Sequence, residues 1–126
     1  MAENMLIEGA RSDIREGTLE EVKAAMNEVV ELIKAKEPKI IFYNAYVNEG
    51  GTQLTVLQAH HDSESVEFHI EVTEPAFTKM AKSITLSSLD IYGTPSQSLL
   101  DKLQRTAFTS GVAVAMHELS AGFSQF

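Results

Sequence analysis

The stretch from Glu16 to Asp62 limits the topologies open to this chain more than any other. Leu19, Val22, Met26, Val29 and Ile33 are spaced 3, 4, 3 and 4 apart, which stacks them on one stripe of a helix, while Glu20, Lys23, Glu31 and Lys34 fall elsewhere on its surface. Thr18 and Glu21 form a T-x-x-E pair that reads as a capping box, and Pro38 stops the helix. Residues 39–62, KIIFYNAYVNEGGTQLTVLQAHHD, then give two β-rich runs around Asn48, Glu49, Gly50 and Gly51, where the glycines permit a tight reversal. A helix leading into a hairpin is the middle of a βαββ unit.

The flanking segments extend that unit. MLIEGARSDI, residues 5–14, reads as a short strand whose polarity puts one side in solvent. Asp62 or Ser63 offers an N-cap for a helix over SESVEFHIEV; Pro75 interrupts it, and AFTKMAKSI resumes as a second helical piece. TLSSLDIYG alternates like a strand. Thr94-Pro95-Ser96-Gln97 reads as a second capping box with proline at the first helical position, and the helix runs through Leu99, Leu100, Leu103, Ala107 and Phe108. After Gly111, VAVAMHELSAGFSQF reads as a final strand with Val112, Val114 and Met116 on one face and Ala113, Ala115 and His117 on the other.

The order is β-α-β-β-α-β with an added α-β. That is an α+β chain built on the ferredoxin-like plait, an antiparallel sheet with two helices on one face, plus a C-terminal helix and strand. With 126 residues the whole chain, 1–126, makes one domain. The sheet's second face needs an account. Phe42, Asn44 and Tyr46 share one face of the first hairpin strand, and Ile41, Tyr43, Ala45 and Val47 share the other, so apolar residues occupy both phases. Closing the open face against a second copy is the economical solution, which predicts a homodimer and, with it, a dimeric α+β barrel.

Charge and composition narrow the function. A net charge of −8, with the ten Lys and Arg scattered, leaves no cationic face to neutralise a run of phosphates, so nucleic acid and anionic membrane are poor partners. The absence of cysteine removes thiolate catalysis and thiolate metal sites. The N-terminal residues do not read as a secretory signal, and no apolar run approaches the ~18 residues of a membrane span. A cytoplasmic protein is expected.

Three of the four histidines lie in LQAHHDSESVEFH, residues 57–69. Period two puts Leu54, Val56, Gln58 and His60 on one face and Thr55, Leu57, Ala59 and His61 on the other, so His60 and His61 point apart. His69 lies about two helical turns past the cap, and the H-x₃-H or H-x-H spacing of a metal pair is missing, so no metal is expected. Whichever of His60 and His61 faces the helices can meet His69 across the layer and line a ligand pocket with it. His117 either reaches inward or is a satisfied core or surface histidine. No nucleophile elbow and no phosphate loop occurs.

Residues 37–77 resemble the antibiotic biosynthesis monooxygenase family of dimeric α+β barrels. The residues carrying the resemblance are Glu37-Pro38, Tyr43 and Tyr46, the turn Asn48 to Gly51, the strand to His60, Asp62-Ser63-Glu64, His69, and Pro75 with Phe77. In looser form it extends from about Met5 to Gly93, where LDIYGTPS fits the family's ending. The resemblance implies a monooxygenase that oxidises a phenolic or quinol-like small molecule with O₂ and without a cofactor. In such chemistry an electron-rich substrate anion itself reduces oxygen, and the protein supplies a dry pocket, a base and hydrogen-bond donors. On that reading His69 is the base or orienting group and Asn44 a carbonyl or oxyanion donor. Tyr43, Tyr46, Phe42, His60, His61, Phe68 and Phe77 contact substrate. Tryptophan is absent, His60 and Gln58 depart from the family's usual aromatic and Glu, and FTKMAKS lacks the histidine of the haem-degrading branch. The alternative is a non-catalytic barrel that binds a small apolar ligand in a stress or regulatory role.

Overall fold

The structure, a computed structural model, describes residues 5–123 and 125. Eight elements follow in order: β1 (Leu6–Ile14), α1 (Leu19–Lys36), β2 (Phe42–Val47), β3 (Gln53–His60), α2 (Ser63–Met80), β4 (Ile84–Tyr92), α3 (Gln97–Arg105) and β5 (Val114–His117). They build a single five-stranded sheet in the order β2-β3-β1-β4-β5.

The first four strands pair antiparallel throughout, which is the expected plait. β5 departs from it. It adds to the outer edge of β4 in parallel, Leu89 opposite Val114 and Tyr92 opposite His117, so the complete sheet is mixed and not antiparallel. The cause is the connection: α3 carries the chain back along the sheet, and a helical crossover yields a parallel neighbour where a hairpin would yield an antiparallel one. β5 is also only four residues long; from Glu118 the described residues have no regular structure, and Ser124 and Phe126 lie outside them.

Register fixes which side chains face the helices. Leu6, Glu8, Ala10 and Ser12 of β1 stand opposite His60, Gln58, Val56 and Leu54 of β3, and all eight point to the helix side. Tyr43, Ala45 and Val47 of β2 share that side, facing Gln58, Val56 and Leu54. Phe42, Asn44 and Tyr46 therefore belong to the open face with Leu57, Ile7 and Tyr92. β1 is the nine-residue central strand; its Arg11 and Asp13 side meets solvent as read, but its polar Glu8 and Ser12, 8% and 4% exposed, lie on the buried side.

The α1 stripe buries Val22, Met26, Val29 and Ile33 against Leu54, Val56, Met80 and Ile84 in one apolar cluster. A second cluster gathers Leu6, Val66, Ile70, Leu89, Ile91, Leu99 and Leu103 under α2 and α3. Three local expectations change. Thr18 does not cap α1 with its side chain; its hydroxyl donates to the Arg15 carbonyl at 2.7 Å, tightening the turn before the helix. α2 runs unbroken through Pro75, because Val66, Ile70, Thr73, Phe77 and Met80 stay on one stripe whose packing outweighs the backbone bond that proline removes. The α3 cap is Ser96, whose Oγ accepts from the Leu99 N–H at 3.1 Å, so Pro95 lies before the helix, and α3 ends at Arg105 short of Phe108. Asp62 caps α2 as read, accepting from Ser65 N–H at 2.9 Å.

The β2–β3 turn is held by Asn48, whose Oδ1 accepts from the N–H groups of Thr52 and Gln53 at 2.8 and 2.9 Å. Gly51 sits at φ +70° with Leu19 so close that a Cβ would meet its Cδ2 at 2.9 Å.

Candidate functional site

A cavity of about 70 Å³ lies between the two apolar clusters, roofed by α2 and α3 and floored by β1, β2 and β3. Most of its wall is apolar: Leu54, Val56, Ile70, Leu86, Leu89 and Leu103, with the Phe77 and Phe108 rings packed 4.9 Å apart at one end. Its polar groups are Glu8, Ser12, Tyr43, Gln58, His69 and Thr73 from sheet and helix, with Glu74 at the rim, joined by Thr106 and Thr109. Among the described residues, no lysine or arginine lines it.

His69 is the best-defined of these groups. It is buried on α2 at 5% exposure, and its Nδ1 lies 2.9 and 3.0 Å from the two carboxylate oxygens of Glu37, itself 5% exposed. A carboxylate only accepts, so Nδ1 carries the proton and Nε2 is the nitrogen left for the cavity. Glu37 is the first residue past α1, and Pro38 turns the chain there, which aims the carboxylate inward. The Tyr43 and His60 rings flank the imidazole at centroid distances of 5.3 and 5.5 Å.

His60 is fully buried and uses both nitrogens. Nε2 lies 2.6 Å from Gln58 Oε1 and Nδ1 2.7 Å from Ser65 Oγ, so the first donates and the second accepts from the hydroxyl. Burial, then His69, lower its pKa from 6.5 to about 3, with Asp62 opposing and His61 adding slightly to the fall. His60 is thus a neutral tie between β3 and the start of α2. Tyr43 is kept as a proton donor: burial first, then the carboxyls of Glu8 and Glu37, push its hydroxyl well above the usual phenol range. Burial likewise raises the Glu8 carboxyl, with His69 opposing.

The residues singled out in the sequence separate into three places. His69, Tyr43 and Phe77 line the cavity, with His60 directly behind. Phe42, Asn44 and Tyr46 lie on the other side of the sheet, so within one chain Asn44 does not meet His69. His61 is exposed at the end of β3, and Phe68, 49% exposed, borders a separate groove on the outer side of Glu37 with Lys36, Pro38 and Lys39. His117 lies on the open face, its Nε2 2.8 Å from Asp90 Oδ1 and its ring stacked on Tyr92 at 4.4 Å. Among the described residues, no group of three or more His, Asp or Glu converges on a metal position. The sequence reading missed Glu8 altogether and named Glu37 only as part of a motif.

A five-stranded α+β plait with an acid and an oriented imidazole on one cavity is the class that fold and site define. The chain has the fold of antibiotic biosynthesis monooxygenase-like structures, in keeping with the resemblance read from residues 37–77. MupZ from Pseudomonas fluorescens is similar over 97% of this chain and 95% of its own, with a TM-score of 0.76 at 23% identity. A candidate antibiotic biosynthesis monooxygenase from Bacteriodes thetaiotaomicron gives 0.62 at 20% identity over 77% of this chain and 93% of that one. SnoaB, a cofactor-independent oxygenase from Streptomyces nogalater solved as a point mutant, gives 0.62 at 9% identity over 75% and 96%. No protein-family model and no curated protein sequence matches the chain. No helix of the described residues is long and apolar enough to cross a membrane.

Proposed function

We propose that this protein is a cofactor-independent monooxygenase that oxidises a phenolic or quinol-like small molecule with O₂ in the cavity beneath α2. The observation that carries the reading is the His69–Glu37 pair: an imidazole whose Nδ1–H is held by both carboxylate oxygens leaves Nε2 free beside a largely apolar cavity. That arrangement suits a base that removes a proton from an electron-rich substrate, whose anion then reduces oxygen. Tyr43 would orient the ring as a neutral donor, and Phe77 would pack against it. The likeness of fold to SnoaB supports the same reaction class. Membership of the antibiotic biosynthesis monooxygenase family and a cytoplasmic location are parts of this reading.

The homodimer belongs to it as well. Phe42, Tyr46 and Tyr92, at 38%, 52% and 44% exposure, form an apolar tract on the sheet face that no helix covers, and a second copy would cover it. Asn44 would then lie in the seam between subunits.

A second reading, a non-catalytic barrel for a small apolar ligand, rests on the mainly apolar wall of the cavity; under either reading the about 70 Å³ must widen to admit a molecule, since ligand pockets usually begin at roughly 300 Å³. The test that separates the two is oxygen uptake by the metal-stripped protein with a panel of hydroquinones and anthrones, beside His69→Ala. Saturable uptake that the folded mutant loses supports the monooxygenase. Uptake no faster than the uncatalysed reaction leaves the ligand-binding barrel.

A further inference from the structure

Glu8 is difficult to explain as a structural residue. It lies on the central strand, paired on one side with Gln58 of β3 and on the other with Ile91 of β4, and its side chain stands on the helix face at 8% exposure. There it lines the same cavity as His69. Among the described residues its carboxyl takes part in no side-chain hydrogen bond and no buried side-chain atom is sealed off without a partner, so its oxygens open on the cavity, which no lysine or arginine lines. A carboxyl in such a place is costly to keep unless the cavity uses it, since an apolar side chain or an amide would fill the same volume.

We propose that Glu8 is a second catalytic residue of the cavity, the acid that delivers a proton to the oxygen being reduced while His69 holds the proton taken from the substrate. The proposal rests on the monooxygenase reading above. For an anthrone, a CH₂ carbon becomes C=O and the second oxygen atom leaves as water. His69 Nε2 takes the first proton from carbon, and the carbanion forms a C–O bond to O₂. Glu8 protonates the terminal oxygen, giving a carbon-bound hydroperoxide. The Glu8 carboxylate then removes the second C–H proton as the O–O bond breaks and the carbonyl forms. The departing hydroxide takes the proton held on His69 and leaves as water, which returns both groups to their starting states.

The groups facing Glu8 fit an acid. Tyr43 from β2 is a neutral donor, His60 behind Gln58 on β3 is neutral, and the neighbouring strand β4 presents Leu89 and Ile91. From α2, His69 opposes protonation, with Glu37 behind it, and Glu74 lies at the cavity rim. Burial keeps the carboxyl pK above its ordinary value, the direction a proton donor needs near neutral pH.

The test combines two measurements on E8Q and the wild type. Glutamate labelled with ¹³C at the side-chain carboxyl gives the protonation of Glu8 directly, assigned by the resonance that E8Q removes; it is expected to stay protonated at neutral pH. If E8Q folds poorly, E8D serves the assignment, since it keeps an acid but withdraws it by one methylene. Oxygen uptake with anthrones across pH is expected to show kcat lower in E8Q by about a hundredfold or more with little change in KM. The limb falling at high pH should disappear in E8Q. An ionised Glu8 at neutral pH, or undiminished uptake by folded E8Q, overturns this role and leaves the monooxygenase reading standing. No uptake by the wild type overturns both.

Discussion

The two carboxylate oxygens of Glu37 lie 3.0 and 2.9 Å from Nδ1 of His69, across 32 residues of chain and with both side chains almost wholly buried. This contact ties the exit of α1 to the middle of α2, so it joins the two helices of the plait as well as orienting the imidazole. Glu37→Gln keeps the shape and loses the charge. It should lower stability by about 1–3 kcal/mol, the range for weakening a buried hydrogen bond to a charged group, and free the ring to turn. Urea denaturation checks the first effect, and an unchanged midpoint would show that the pair adds nothing to stability.

His60 should make the fold sensitive to acid. Its pKa is 6.5 in an unfolded chain and about 3 in the folded one, so between those values the unfolded state binds a proton that the folded state refuses. Stability is unaffected above the window and is lost as pH falls through it, by an amount on the order of 5 kcal/mol if His60 alone is responsible. Denaturation midpoints measured from neutral to acid pH should fall less steeply in His60→Gln. Parallel curves for the two proteins would exclude His60 as the cause.

Glu8 works in the opposite sense. Its folded pKa is raised above the ordinary 4.5, so the folded state holds a proton that the unfolded state releases, and stability declines as pH rises above 4.5. Replacing Glu8 by Gln should therefore raise the melting temperature at neutral pH relative to the wild type and leave it nearly unchanged well below 4.5. A variant that is more stable and less active would mark this as a position held for function. Equal destabilisation at both pH values would mean that the amide fits the site poorly.

The start of α3 gives a local test. Ser96→Ala removes the hydroxyl that accepts from Leu99 N–H and should destabilise by about 1 kcal/mol, whereas Thr94→Ala should change stability by only a few tenths. Reversal of that order would restore the cap two residues upstream, where the sequence alone suggests it.

On the open face, Tyr46→Lys puts a charge at a position 52% exposed in the single chain. If that face joins two copies, sedimentation should show dissociation to monomers while the distances around His69 persist. An unchanged sedimentation coefficient would remove the face from the interface.

How much was legible in the sequence depends on whether the signal was local. The α1 stripe, the hairpin turn and the alternation of β2 and β3 follow from spacing, and the structure has them as read. The same alternation separated His60 from His61 and grouped Asn44 with Phe42 and Tyr46, but it could not say which face met the helices. Only the register with β1 decides that. Pro75 misled because a single residue's backbone preference was weighed against packing that is visible only when both ends of α2 are docked. Glu8 was missed for a related reason. A strand with polar residues reads as half solvated, and neither its central place nor the cavity beneath it has a local mark. Glu37 had one, in the Glu-Pro pair, but its partner lies on another element.

Leu103, Thr106, Phe108 and Thr109 reach the cavity from the segment that follows the plait, whereas Glu8, Gln58, Tyr43 and His69 belong to the plait itself. The titratable groups of the cavity and one part of its outer wall therefore sit on separate parts of the chain. Changes after β4 could enlarge or reshape the space for a different molecule without disturbing the strands that hold the acid. On the proposed reading, selection on a chain built this way would meet two separate tasks, a fixed reaction and an adjustable mould.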